Sequence, residues 1–381
     1  MTVSGIEIAP LESADELAVG SLFRNQGMKF AGLTLNYDRG AEFRRLLGFQ
    51  APRHQTYLAK EKSELRSLIS LASGPRWFNG EIREVAFVSD FRIDHSPRAR
   101  LVWRDLLDQV VRDFDDETGV RRPSLLFALV LKGNKAALRS FTESKRTTQF
   151  QMREVGSVRM INIFARLPHF SRITRNLRTK KSTVSRALST DRVELIDFLK
   201  KSERCRQLGY VFGNTEFCEA EFRHRNWNFR WEDFLLQREN GKISACVLPW
   251  APDSDTKVMT FTAAPKFFEA GLSVLARIGL KVPRRHEPIK TLYLTHLNVS
   301  NRAKADGAIA QFLEFIYSER LNSGYQMVSF PDWWKLGKKS KSLMATIHQK
   351  VDVGIYSVGV AGHELVEVPA NQIFNFEMAV I

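Results

Sequence analysis

Cysteine is scarce in this chain, with only Cys205, Cys218 and Cys246 in 381 residues. Three is an odd number and no C-x-x-C pair occurs, so the set offers neither a disulfide framework nor a thiolate zinc site and suits a reducing compartment. The eight histidines are scattered without H-E-x-x-H or comparable spacing, and no metal centre is expected. No run of about 18 apolar residues occurs, which argues against a membrane-spanning chain. The opening MTVSGIEIAPLESADELA lacks a basic stretch followed by an apolar one, so a secretory signal is not expected and the chain reads as cytoplasmic.

What is present is apolar mass and positive charge. Apolar residues make up 44% of the chain, enough for a sizeable core, and the length is more comfortable as two domains than one. The formal charge of +15 is concentrated. HFSRITRNLRTKKSTVSRALST, His169 to Thr190, carries Arg172, Arg175, Arg178, Lys180, Lys181 and Arg186 with no acid, and reads as a basic linker or surface helix. PRRHEPIK and KLGKKSKS add two further clusters. Solvated surface plus a groove for an anionic cofactor is the favoured reading, over a nucleic-acid partner.

Periodicity orders the elements. A helix capped by Ser13 or Asp15 is followed by strands around 29–35 and 56–59 and by a helix from about Lys62 to Ala72. In EIREVAFVSDFRI, Val85, Phe87, Phe91 and Ile93 alternate and predict a strand with these four on one face. After the basic loop of HSPRARLVWRDLL, Val102, Trp103, Leu106, Leu107, Val110, Val111 and Phe114 recur at three and four, a helix with a broad apolar stripe. SLLFALVL reads as a buried strand, GNKAALRSFTESK as a helix capped by Asn134, and VGSVRMINIFARL as a further strand. The order then returns more faintly. NWNFRWEDF alternates Trp227, Phe229 and Trp231 as one face of a strand, and the Asn240-Gly241 turn predicts a hairpin in DFLLQRENGKISACVLPW. IKTLYLTHLNV is a strand, SNRAKADG a loop, and Ala305, Ile309, Phe312, Leu313, Ile316 and Tyr317 share a helix face. YQMVSF, VDVGIYSVGV and FNFEMAVI close the pattern. The shared ordering points to a distant internal duplication.

This ordering resembles the GNAT superfamily of acyl-CoA-dependent N-acetyltransferases. In that family a strand is followed by a Q/R-x-x-G-x-G/A loop and a helix, whose amides hold the coenzyme A pyrophosphate. Converging N–H donors at a positive helix end are what such an anion needs. FRIDHSPRARLVWRDLL is similar to that unit, with Arg98 at the Q/R position and Leu101 and Trp103 where the family has its small residues. LVLKGNKAALRSF resembles the next strand and helix, Asn134 matching the asparagine that caps the helix beside the pantetheine arm. Phe141 stands where many members have a tyrosine acid. LNVSNRAKADGAIAQFLEFI resembles a divergent second copy.

The resemblance implies an α/β fold of two GNAT-like domains, each a mixed, mostly antiparallel sheet flanked by helices. Residues 1–168 would form the first, 169–190 a basic linker, and 191–381 the divergent second. It implies an acyl-CoA-dependent N-acyltransferase with acetyl-CoA as co-substrate and a primary amine of unknown identity as acceptor. Phe91, Ile93, Arg98, Ala99, Arg100, Leu101, Val102, Trp103 and Asn134 would hold the coenzyme. Asp90 and Glu84 are the nearest carboxylates to take the ammonium's proton, and a backbone N–H near Phe91 to Ile93 would hold the oxyanion. The rival expectations are a non-catalytic GNAT-fold binding protein and an aminoacyl-tRNA-dependent transferase.

Overall fold

A computed structural model of the chain describes residues 2–3, 5–30, 33–40, 42–94, 107, 109–114, 124–135, 137–138, 151–166, 184–213, 223, 226–253, 256–277, 279–337, 340–344, 346–360, 363–369 and 372–377. The first half contains β1 (Thr2–Val3), β2 (Ile6–Pro10), α1 (Glu16–Asn25), β3 (Met28–Phe30), β4 (Leu33–Asp38), α2 (Arg45–Gln50), β5 (Arg53–Glu61), β6 (Glu64–Phe78), β7 (Glu81–Ile93), β8 (Leu125–Leu131) and β9 (Gln151–Arg166). The second contains β10 (Val184–Arg186), α3 (Arg192–Arg204), β11 (Gly209–Tyr210), β12 (Leu235–Glu239), β13 (Lys242–Trp250), β14 (Val258–Ala263) and α4 (Lys266–Arg277). It ends with β15 (Thr291–Val299), α5 (Ala305–Ser318), β16 (Met327–Asp332) and β17 (Thr346–Gly359).

The two halves share one 14-stranded sheet, ordered β1-β2-β5-β6-β7-β8-β17-β9-β16-β15-β13-β12-β10 with β11 on β6. Strand β17 of the second half lies between β8 and β9 of the first, and β9 pairs on its other side with β16. This exchange leaves no seam at which the halves could part without breaking ladders. The apolar stripe of α5 packs on one face of the sheet, with Ile309, Phe312, Leu313 and Ile316 against Met160, Leu294 and Phe330. On the other face Leu107, Val110, Val111 and Phe114 cover Ala86, Val88, Leu126 and Ala128. A second sheet, β14-β4-β3, joins the halves again. No helix among the described residues is long and apolar enough to cross a membrane.

Many local expectations hold. Asn240 and Gly241 take φ of 51° and 79° in the β12–β13 turn, and Asn134 Oδ1 accepts the Ala137 N–H at 3.1 Å as a helix cap. Asn134→Ala is expected to cost about 1 kcal/mol of stability, read from a urea midpoint.

Other expectations are corrected. The helix predicted over Lys62 to Ala72 is strand β6, turned back from β5 at Lys62 and Ser63 with φ of 49° and 69°. Every residue from Ser67 to Gly74 is buried, because layers cover both faces, and a strand buried on both sides carries no period-two pattern. The single strand expected around 29–35 is split into β3 and β4. Trp227, Phe229 and Trp231 are not on a strand. They pack in one buried cluster around a turn, the Trp227 Nε1–H donating to the Phe49 carbonyl at 2.9 Å. Of the residues assigned to the basic linker, 169–183 lie outside the described residues, whereas Val184 to Arg186 pair with β12.

FNFEMAVI is not a strand over its described part. Phe374 makes only an isolated bridge to Gln207, and its ring lies on Gly156 so closely that a Cβ there would stand 2.3 Å from it. Glycine at this point of β9 is what lets the C-terminal segment run across the sheet.

Candidate active site

Strands β7 and β8 are parallel neighbours from Val85↔Leu125 to Val88↔Ala128, and there their pairing stops. Beyond that point β7 stays with β6 as far as Ile93, and β8 stays with β17 as far as Leu131. The two strands therefore splay into a wedge. A bulge sits at the fork: between Ser89↔Ser70 and Arg92↔Leu68, Asp90 and Phe91 stand opposite the single residue Ile69. Asp90 takes a left-handed φ of 56°. A two-against-one bulge bends its strand and changes which face later side chains use. The predicted common face for Val85, Phe87, Phe91 and Ile93 is thus overturned. Val85 and Phe87 belong to one core cluster, while Phe91 and Ile93 join Ala86 and Val88 on the other side.

The wedge encloses a cavity of about 180 Å³ lined by Phe87 to Arg92, Ala128 to Leu131 and Asn134, with Tyr37 and Arg39 reaching in from β4 and the turn after it. Asp90 is ion-paired with Arg39, both side chains 6% exposed, and the guanidinium lies 5.2 Å from the Phe43 ring centroid. Several polar atoms on this lining, Arg39 Nε and Nη1, Ser89 Oγ and Asp90 Oδ2, are buried without a hydrogen-bond partner among the described residues. Buried polar groups are nearly always paired, so four such atoms on three neighbouring residues set this fork apart from the rest of the sheet. Burial also pushes the Tyr37 phenol above its ordinary range, with the Arg39 charge opposing.

The sequence-predicted residues divide three ways. Asp90, Phe91 and Asn134 line the wedge together, and Ile93 follows on the same strand without lining it. Glu84 stands before the parallel pair begins, outside the cavity, paired with Arg53 and accepting the Ser73 hydroxyl at 2.6 Å. Arg98, Ala99, Arg100, Leu101, Val102, Trp103 and Phe141 lie outside the described residues. Tyr37, Arg39 and Ser89 were missed. Tyr37 and Arg39 come from a strand and turn whose only sequence signal was apolar alternation, while Ser89 sits on the predicted strand as one polar residue among others.

The second half repeats the arrangement. Strands β15 and β16 are parallel from Thr291↔Met327 to Tyr293↔Ser329, and β15 then bulges, with His296 and Leu297 opposite Val247 and His296 at φ 49°. This wedge is filled from within. The His296 backbone N–H donates to Glu377 Oε1 at 2.8 Å, and Glu203, Arg206 and Asn298 are buried beside it in a bonded cluster. Burial, reinforced by the nearby Arg223 charge, holds the His296 imidazole well below its usual range. Phe376, one residue before Glu377, lines the first wedge. One C-terminal segment therefore touches both forks and occupies the bulge amide of the second.

No family model and no curated protein matches the sequence. Solved structures do match. The N-myristoyltransferase of Saccharomyces cerevisiae with bound myristoyl-CoA superimposes with a TM-score of 0.54 over 99% of this chain and 88% of that one, at 12% identity. The GCN5-related glucosamine N-acetyltransferase region of a fungal multi-domain β-N-acetylglucosaminidase gives 0.58 over 94% of this chain and 38% of that one, at 10% identity. Both likenesses concern the fold, and both take in nearly the whole chain. Splayed parallel strands, bulged at the fork in each half and joined through one sheet, thus give the chain the GNAT fold.

Proposed function

We propose that this protein is an acyl-CoA-dependent N-acyltransferase that moves an acetyl group from acetyl-CoA to a primary amine, with the wedge between β7 and β8 as its thioester site. The observation that carries the reading is a cavity at the fork of two splayed parallel strands, one of them bulged at that point. A bulge leaves one peptide group over from the ladder, and an N–H so placed stabilises a developing oxyanion without reorganising. The second wedge has the same bulge, but Glu377 already holds its amide, which favours the first half as the acyl site. Coenzyme A would pass Asn134 toward Arg98 and Arg100, whose guanidinium groups suit its phosphates. Asp90 and its partner Arg39 supply the wedge with fixed charges. Tyr37, kept protonated by burial, is the hydroxyl on the lining suited to replace the acid that Phe141 lacks. Both solved neighbours named above are N-acyl or N-acetyl transferases by their descriptions, which supports the same chemistry here.

Acetyl-CoA is expected to raise the melting temperature, since a ligand bound only by the native state stabilises it by about 2.7 kcal/mol at 100 times its Kd. Replacing the partly buried Leu129 with tryptophan, to fill the wedge, should abolish that shift while the free variant still melts cooperatively. No shift with acetyl-CoA or with longer acyl-CoA would sink the proposal.

A further inference from the structure

The wedge cavity shares Tyr37 and Leu131 with a second cavity of about 80 Å³, and this shares Met259, Ile289 and Tyr293 with a wider mouth of about 400 Å³. The narrow middle section lies between the small sheet with α4 and the main sheet, and among the described residues it is lined by apolar side chains, the two tyrosines and the neutral Asn162, Ser329 and Gln349, with no charged one. Lys257 lines the mouth, its Nζ 5.2 Å from the ring centroid of Tyr293 and 5.8 Å from that of Tyr37, the two tyrosines that line the waist.

An ammonium cannot cross such a waist cheaply, because an unpaired charge in apolar surroundings costs several kcal/mol or more. An amine acceptor must shed its proton before it enters, and a base is needed at the mouth. Asp90 is engaged with Arg39, and Glu84 lies outside the cavity series.

We propose that the acceptor is a primary amine carried on an apolar body, that it enters by this mouth, and that Lys257 takes its proton there. The inference rests on the acyltransferase reading above. Lys257 Nζ accepts one proton from the ammonium, and the freed amine attacks the thioester carbonyl carbon. The C–N bond forms, the C–S bond breaks, the Tyr37 hydroxyl gives its proton to the coenzyme thiolate, and the second amine proton restores Tyr37. Lys257 returns its proton to solvent through the mouth. Burial and the Arg39 charge lower Lys257 to about 7, so a useful fraction is neutral at physiological pH. The other groups facing it are Asp90, Tyr37 and Tyr293, with Lys290 and Asp253 at the mouth, the latter paired with Arg45 at 2.6 Å.

The test is acetyl transfer to phenethylamine, followed by thiol release across pH, with spermidine as a polycationic comparison. The wild type should prefer phenethylamine, with kcat/KM rising as pH passes through about 7. Lys257→Met should lower kcat/KM about 100-fold at neutral pH and remove that inflection, with the acetyl-CoA melting shift unchanged. Ile289→Trp should raise the KM for the amine and leave the coenzyme shift alone. A Lys257→Met variant with the wild-type pH profile, or a preference for spermidine, would overturn the inference. So would failure to acetylate phenethylamine by a protein that acetyl-CoA does stabilise, and that result leaves the acyltransferase reading standing. Absence of the melting shift removes both.

Discussion

Arg39→Met is expected to destabilise the fold by about 3–5 kcal/mol, the cost of leaving one member of a buried ion pair without its partner. Arg39 and Asp90 are both 6% exposed, and the pair joins the end of the small sheet to the bulge in β7. Removing the guanidinium leaves the Asp90 carboxylate beside Phe23, Phe87 and Phe91 with only the more distant Arg92 and Lys257 charges to offset it. The guanidinium also lies over the Phe43 and Phe23 rings, at 5.2 and 5.9 Å, contacts that methionine recovers only in part. The double variant Arg39→Met with Asp90→Leu should regain most of the loss, because an apolar pair of similar volume has no charge to desolvate. Urea denaturation of the single and double variants measures both. A single variant within about 1 kcal/mol of wild type, the range of exposed pairs, would show that water reaches the pair and that the wedge is wet around Asp90.

The second large effect is a pH dependence centred on Glu377. Burial raises its carboxyl from an ordinary 4.5 to about 7, against the opposing Arg223 charge and the His296 amide. An acid that binds its proton more tightly when folded stabilises the fold below its unfolded pKa and loses that contribution as pH rises to the folded one. The window therefore runs from about 4.5 to about 7. Across it the wild type should lose roughly 3 kcal/mol from this group, at about 1.4 kcal/mol per unit. Glu377→Gln keeps a carbonyl oxygen for the His296 N–H and cannot ionise. It should match the wild type near pH 4.5 and exceed its stability by up to that amount at pH 8. Glu203, Arg206 and Arg223 face the same group and are present in both proteins, so the difference between the two curves isolates Glu377. Stability curves that run parallel from pH 4.5 to 8 would show that Glu377 is already charged when folded, held by the two arginines.

Local chemistry by itself determined a good part of this protein. The Asn240-Gly241 turn needs left-handed backbone that these two residues tolerate, and it is where the hairpin forms. Asn134 has a short carbonyl that reaches an amide three residues on, and it caps as read. The stripe through Ile309, Phe312, Leu313 and Ile316 could only be a helix face. From such signals the GNAT-like ordering and the placing of Asp90 on a strand of the first half were legible.

Tertiary structure alone decided the rest, and the reason is range. Strand β6 looked helical because covering both faces of a sheet erases the alternation that marks a strand. The bulge at Asp90 moved Phe91 and Ile93 to the opposite face, a shift set by pairing with β6 that no spacing within β7 records. The wedge exists because β7 and β8 follow different neighbours, and the neighbour that draws β8 away is β17 from the far end of the chain. Arg39 meets Asp90 across 51 residues and Glu377 meets His296 across 81. Lys257 comes within 5.8 Å of the Tyr37 ring of the first half only because β14 pairs with β4. Periodicity and capping act within a few residues, whereas the charges and cavities of this site arise where chain segments meet after folding.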